Sequence, residues 1–144
     1  MRRMRTVIIA CFLPLAVWLS ACEVKQVQVG SPSVDVSIAP SEWALIELDN
    51  QPLPALSQAP TLALAEDGKA NGFAGCNQFS GTYTLAAGQL TFSPLAATRM
   101  FCGETMDLEQ QYLSALGSTR TYRQTANSLE LVGDKGTVAR FQKR

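Results

Sequence analysis

Histidine is missing from all 144 residues of this chain. Its absence removes the commonest general base, the Ser-His-Asp triad and the Cys-His pair together, and with them most zinc sites. Basic clusters are missing as well: Lys25, Lys69, Arg99, Arg120, Arg123, Lys135, Arg140, Lys143 and Arg144 are scattered. Nucleic-acid binding draws on clustered cations that displace counterions, so no nucleic-acid partner is expected. There is no Gly-rich phosphate loop and no Asp-rich loop with calcium spacing, and the reading is of a chain with no cofactor and no metal. The apolar run Val7 to Leu19 holds thirteen residues. As a helix it would reach roughly 20 Å, short of the ~30 Å hydrocarbon core, so it does not read as a membrane span.

That run reads instead as the core of a signal peptide. Arg2, Arg3 and Arg5 form a positive start, and Leu19-Ser20-Ala21-Cys22 places two small residues and a cysteine directly after the apolar stretch. This is the pattern of a lipoprotein cleavage site, similar to that of bacterial lipoproteins. Residues 1–21 are then removed and Cys22 becomes the lipidated first residue. Its thiolate would take a diacylglyceryl group, and acylation of the new amine would add the second signal that stable anchoring needs. The alternative is an ordinary secretory signal with a chance cysteine. Cleavage leaves residues 22–144, with nine Lys or Arg against twelve Asp or Glu and a net charge of −3. That length suits one domain with a modest core.

Cys11 leaves with the signal and Cys22 is used for lipid, so Cys76 and Cys102 remain as one pair. Outside the cytoplasm an even pair points to a disulfide, worth roughly 3 to 4 kcal/mol on the chain-entropy model. Two buried free thiols are the alternative.

Residues 22–41 mix Gln, Ser, Pro and isolated Val, with breakers at Pro32 and Pro40, and read as a tether. Val34, Val36 and Ile38 alternate with Asp35 and Ser37, which would suit a short docking strand. Residues 42–144 form the domain. Period-two patterning places strands at Glu42 to Leu48, Thr61 to Ala65, Lys69 to Ala74, Gly81 to Leu85 and Gln89 to Phe92, with turns at Asp67-Gly68 and Ala87-Gly88. Met106, Leu108, Tyr112, Leu113, Ala115 and Leu116 recur at helical spacing, predicting one helix over Glu104 to Leu116 with Gly117 as its cap. Glu104, Asp107 and Glu109 in its first turns read as complements of the helix dipole rather than as metal ligands. Strands at Arg120 to Gln124, Ser128 to Val132 and Thr137 to Gln142 close the pattern. Trp43, Tyr83, Phe92, Tyr112 and Phe141 face inward in this reading.

Two dense stretches carry the candidate sites. Three glycines, Gly72, Gly75 and Gly81, surround Cys76-Asn77, which implies close backbone approach or positive φ. Cys76 as a nucleophile would need Glu104 or Glu109 as its base, and a carboxylate is a weak activator of a thiol. The structural reading bridges Cys76 to Cys102 and has Asn77 tying down the turn. In Thr98-Arg99-Met100-Phe101-Cys102, Arg99 reads either as a salt-bridge residue or as a group that recognises a carboxylate or phosphate. Asn77, Phe79 and Arg99 are the candidate contact surface, with Phe79 read as an exposed aromatic anchor and a core-facing Phe79 as its alternative.

Gly75-Cys76-Asn77-Gln78-Phe79-Ser80-Gly81-Thr82-Tyr83, followed by Leu90-Thr91-Phe92 and Thr98-Arg99-Met100-Phe101-Cys102, resembles the META domain family. Its bacterial members include HslJ-like heat-shock lipoproteins. The likeness runs from about Trp43 to Phe141, taking in Trp43-Ala44-Leu45, the Asp67-Gly68 turn, Glu109 and Leu129-Glu130-Leu131. It implies an α+β fold, a conical, barrel-like and mostly antiparallel β-sheet wrapped around one α-helix. It also implies a link to heat or antibiotic stress and, with Glu23 after the lipidated cysteine, an outer-membrane location facing the periplasm. It implies no reaction. The expected function is therefore that of a non-enzymatic envelope lipoprotein, membrane-bound through Cys22, that binds a protein or envelope component. The alternatives are a small-ligand binder using the conical interior and a thiol-redox protein using Cys76 and Cys102.

The anchor gives a direct prediction. Cys22→Ala should release the chain from membranes or leave it unprocessed, as read by fractionation and acyl labelling. A processed, membrane-bound Cys22→Ala protein without acyl label would refute the lipid assignment.

Overall fold

The structure is a computed structural model that describes residues 37–144. The signal peptide, Cys22 and the Val34 and Val36 positions lie outside the described residues.

Alternating burial builds the sheet. In β1 (Ser41–Leu48), Trp43 and Leu45 point inward two residues apart. A bulge between Leu45 and Glu47 then shifts the phase, so that Leu48 and not Glu47 faces the core. A two-residue β2 (Gln51–Pro52) folds back on β1, and β3 (Thr61–Leu64), β4 (Lys69–Phe73), β5 (Gln78–Ala86) and β6 (Gln89–Phe92) follow as an antiparallel meander. A second two-residue strand, β7 (Ala96–Ala97), pairs with β5 beyond the reach of β6. A 3-10 turn at Gly103–Thr105 leads into helix α1 (Met106–Ser118). The chain ends with β8 (Thr119–Gln124), β9 (Ser128–Gly133) and β10 (Gly136–Lys143).

The first and last long strands meet. β1 pairs with β10 from Trp43 opposite Lys143 to Leu48 opposite Ala139, which closes β1, β3, β4, β5, β6, β8, β9 and β10 into an eight-stranded antiparallel barrel. Closure removes the sheet edges that would otherwise template aggregation. The β6–β8 junction is thin, with one registered pair, Gln89 opposite Thr121. Outside the barrel, Arg140 bridges Glu47 and Glu130, and Arg123 also reaches Glu130 at 3.0 Å, linking four strands by charge.

Eight strands enclose a space that side chains can fill. Trp43, Leu45, Leu62, Leu64, Leu90, Leu129, Leu131 and Phe141 fill it, each less than 2% exposed, with Tyr83 and Phe92 packed partly buried against them. The helix contributes Tyr112, Ala115 and Leu116 to the same core. The Tyr112 ring stands edge-on to Phe79 at 5.8 Å and tilted to Phe141 at 6.1 Å. Its hydroxyl donates to the Thr61 carbonyl at 3.0 Å, and burial pushes its pKa well above the usual tyrosine value.

Several boundaries move from the sequence reading. The domain starts before residue 42, because Ile38 and Ala39 already sit in the core and Ser41 opens β1. Ser41 also accepts from the Trp43 indole at 2.7 Å, fixing that ring from the segment read as tether. β5 begins at Gln78 rather than Gly81, since its edge partners β4 and β7 carry the pairing across the glycine. The helix runs through Gly117 to Ser118, and the cap position is Thr119 in extended conformation. Gly117 is therefore a helical residue and not a cap.

Two glycines separate these roles. A Cβ on Gly72 would stand 2.0 Å from the Thr61 carbonyl oxygen and 2.9 Å from the Phe79 ring, whereas one on Gly117 would meet nothing within 4 Å. Gly72→Ala should destabilise by about 3 kcal/mol or more, because backbone must move. Gly117→Ala should stabilise by about 0.5–1 kcal/mol through helix propensity. Urea denaturation of the two variants reads both signs, and destabilisation by Gly117→Ala would restore the capping role.

Candidate functional site

The turn between β4 and β5 is where the two dense sequence stretches meet. Gly75 adopts φ +110, a backbone conformation that L side chains rarely adopt, and a Cβ there would touch Leu108 of the helix at 3.5 Å. This sharp turn aims Asn77 inward, where it is only 1% exposed. A buried amide needs its donors and acceptors met, and each one is. Its Oδ1 accepts from the Met100 backbone N–H at 2.7 Å and from the Thr98 hydroxyl at 2.8 Å. Its Nδ2 donates to the Met100 carbonyl at 3.0 Å and to Glu109 Oε1 at 3.0 Å, while its backbone N–H donates to Glu109 Oε2 at 2.7 Å.

One side chain thus joins three segments distant in sequence: the β4–β5 turn, the 98–102 loop and helix α1. The Cys76–Cys102 disulfide, with Cα atoms 5.7 Å apart, clamps the same two loops covalently. The bridged reading of the pair stands and the free-thiol alternative falls. The Cys76 nucleophile reading falls with it, since its sulfur is committed to Cys102 and Glu109 is committed to Asn77.

Glu109 takes a different place from the one its sequence position suggested. It is 6% exposed and receives two N–H donors from Asn77, so it is a buried partner and not a surface complement of the helix dipole. The signal was available in the spacing: Glu109, Tyr112 and Leu116 fall on one helical stripe, and the other two are apolar core residues. Of the candidate contact residues, Asn77 and Phe79 are both buried, Phe79 at 3% against Tyr112. The exposed-anchor reading of Phe79 is corrected in favour of the core. Arg99 is exposed and makes no ion pair among the described residues.

The exposed aromatic lies two residues beyond Arg99. Phe101 is 86% exposed and Met100 63%, on a loop whose backbone is held by Asn77 and whose end is held by the disulfide. Sequence reasoning singled out Arg99 in this stretch and gave Met100 and Phe101 no role. Buried side chains of the core occupy the barrel interior. Surface grooves among the described residues include one of about 330 Å³ lined by Gln78, Phe79, Ser80, Ala96, Ala97 and Thr98.

The Asn77–Glu109 pair should be strongly coupled. Asn77→Ala strips the Nδ2 donor from a buried carboxylate and leaves the Met100 and Thr98 groups without their partner, and it should cost about 3 kcal/mol or more, as should Glu109→Ala. In a double-mutant cycle read by denaturation, the double variant should lose far less than the two single losses added. Additive losses would show that the pair does not act as a unit.

The comparisons with known proteins agree with this geometry. The META domain family model matches residues 36–144. An NMR structure of a protein from Burkholderia xenovorans is 30% identical, with a TM-score of 0.59 over 73% of this chain and 82% of that one. A second protein solved by NMR is 28% identical, with a TM-score of 0.58 over 72% of this chain and 89% of the other. A crystal structure of a DUF4847 family protein from Bacteroides vulgatus is 14% identical, with a TM-score of 0.57 over 72% and 92%, a likeness of fold alone. No curated protein matches the chain. A family model spanning most of the sequence, over the same strands and helix that build the barrel, settles the family: this chain belongs to the META domain family.

Proposed function

We propose that this chain is a lipid-anchored envelope protein of the HslJ-like kind that acts in heat, antibiotic or envelope stress by binding a protein or envelope component, and not by catalysis. The observation that carries the binding half is the Arg99-Met100-Phe101 loop. It presents a cation, a thioether and a phenyl ring to solvent from a backbone held by two hydrogen bonds between Met100 and the Asn77 side chain, itself fixed by Thr98 and Glu109, and by one disulfide. Holding an exposed aromatic rigid costs stability unless something is gained from it. A pre-ordered anchor loses little entropy on association, which is the condition under which a few residues dominate binding.

The anchoring half rests on Leu19-Ser20-Ala21-Cys22 behind a basic and apolar start, which supports membrane attachment, and on Glu23 after the lipidated cysteine, which supports an outer-membrane location facing the periplasm. A lipidated chain with a filled barrel and an outward anchor suits an accessory that holds a partner near the bilayer. A thiol-redox role for Cys76 and Cys102 fits less well, because the disulfide is integrated with the loop and core contacts that hold the helix.

Complementation of a deletion strain under heat or antibiotic challenge tests the reading. Phe101→Ala and Arg99→Ala should each lower survival toward that of the deletion strain while leaving the melting temperature nearly unchanged, and Phe79→Ala should lower both. Full complementation by a combined Arg99→Ala, Phe101→Ala chain would refute binding through this loop.

A further inference from the structure

The exposed loop adjoins a groove on its own molecule. Thr98 belongs to both: it lines the 330 Å³ groove with Gln78, Phe79, Ser80, Ala96 and Ala97, and it begins the loop that carries Met100 and Phe101. Phe79 turns its ring into the core against Tyr112, so the groove surface comes from Ala96 and Ala97 together with Gln78, Ser80 and Thr98, a mixed lining whose alanines can receive a phenyl ring. A projecting anchor and a receiving groove side by side on one surface are self-complementary about a two-fold axis.

Two further features fit the same symmetry. β7 pairs on one side with β5 through Phe79 opposite Ala97 and Ser80 opposite Ala96, and no strand among the described residues pairs with its other side. A short free edge can pair antiparallel with its own copy across a two-fold axis. Arg99 and Glu104 flank the anchor, both exposed and without an ion pair among the described residues. The patch thus carries both signs, and a two-fold contact can set the cation of one copy against the carboxylate of the other.

We propose that this face docks a second copy of the chain, with Phe101 of each copy seated in the Gln78–Ser80 and Ala96–Thr98 groove of the other and the β7 edges paired between them. The inference rests on the binding reading above and names its partner. The patch is smaller than the roughly 20–30 residues a side of a standard interface, so the contact is weak in dilute solution. Confinement of anchored chains to a bilayer raises their effective concentration and populates it.

The test uses the full chain in the envelope. Two differently tagged copies are co-expressed with Phe101 replaced in one by a photo-crosslinking benzoylphenylalanine, and ultraviolet light is applied to intact cells. The expected product has twice the chain mass and carries both tags. Ala96→Lys, which places a charge on the free edge, should lower its yield at least about tenfold while leaving the melting temperature unchanged. The same crosslinker in place of Leu85, in the groove beside Ser37 and Ile38, should give no such product. An adduct carrying one tag and a different mass would overturn the second copy as occupant and leave the binding reading standing. No adduct at position 101 would overturn both, and equal two-tag yield from positions 101 and 85 would overturn the specific face.

Discussion

The fold depends on a buried amide meeting a buried carboxylate. A strand barrel can pair its own backbone groups around the ring, but a helix packed into its core has no ladder to join and must be fixed there by side chains. Asn77 does this. It spends its whole hydrogen-bonding capacity on Glu109 of the helix and on Thr98 and Met100 of the loop that precedes it. An unsatisfied group at that depth would cost more than the network gains, so the arrangement is all-or-none and specifies one geometry. The disulfide one residue away holds the same segments together and restricts the unfolded chain.

That junction has a consequence at the surface. Because the loop backbone is pinned from within, the residues between its pins have side chains pointing out, and Met100 and Phe101 stand exposed where a looser loop would fold them back against the barrel. The same network that completes the core therefore creates the most apolar exposed feature of the described residues. The filled interior moves any recognition chemistry outward, to this loop, its neighbouring groove and the short β7 edge.

The strands and the helix were legible because each follows from local rules. Alternation in Trp43-Ala44-Leu45 and Leu129-Glu130-Leu131 reads directly as one face in and one face out. Gly72 and Gly75 announced a crowded turn, and the structure supplies a separate reason for each, contact with Thr61 in one and positive φ in the other. The bulge after Leu45 was not legible, since its cause lies in the pairing with β10 some ninety residues away. The entry of Ile38 into the core was legible in part, since its alternation with Ser37 suited a docking segment, but Ile38 enters in a bend and not in a strand.

Sequence alone determined the element types, the family likeness and the absence of histidine chemistry, properties of composition and short-range order, and it left the two domain cysteines either bridged or free until the fold brought their Cα atoms within 5.7 Å. Tertiary structure alone decided which side of the surface Phe79, Asn77 and Phe101 would take. Phe79 and Phe101 are equally apolar, and each lies within three residues of a bridged cysteine. One is buried against Tyr112 and the other faces solvent because burial depends on what a distant segment brings to the same place, and no local pattern encodes that.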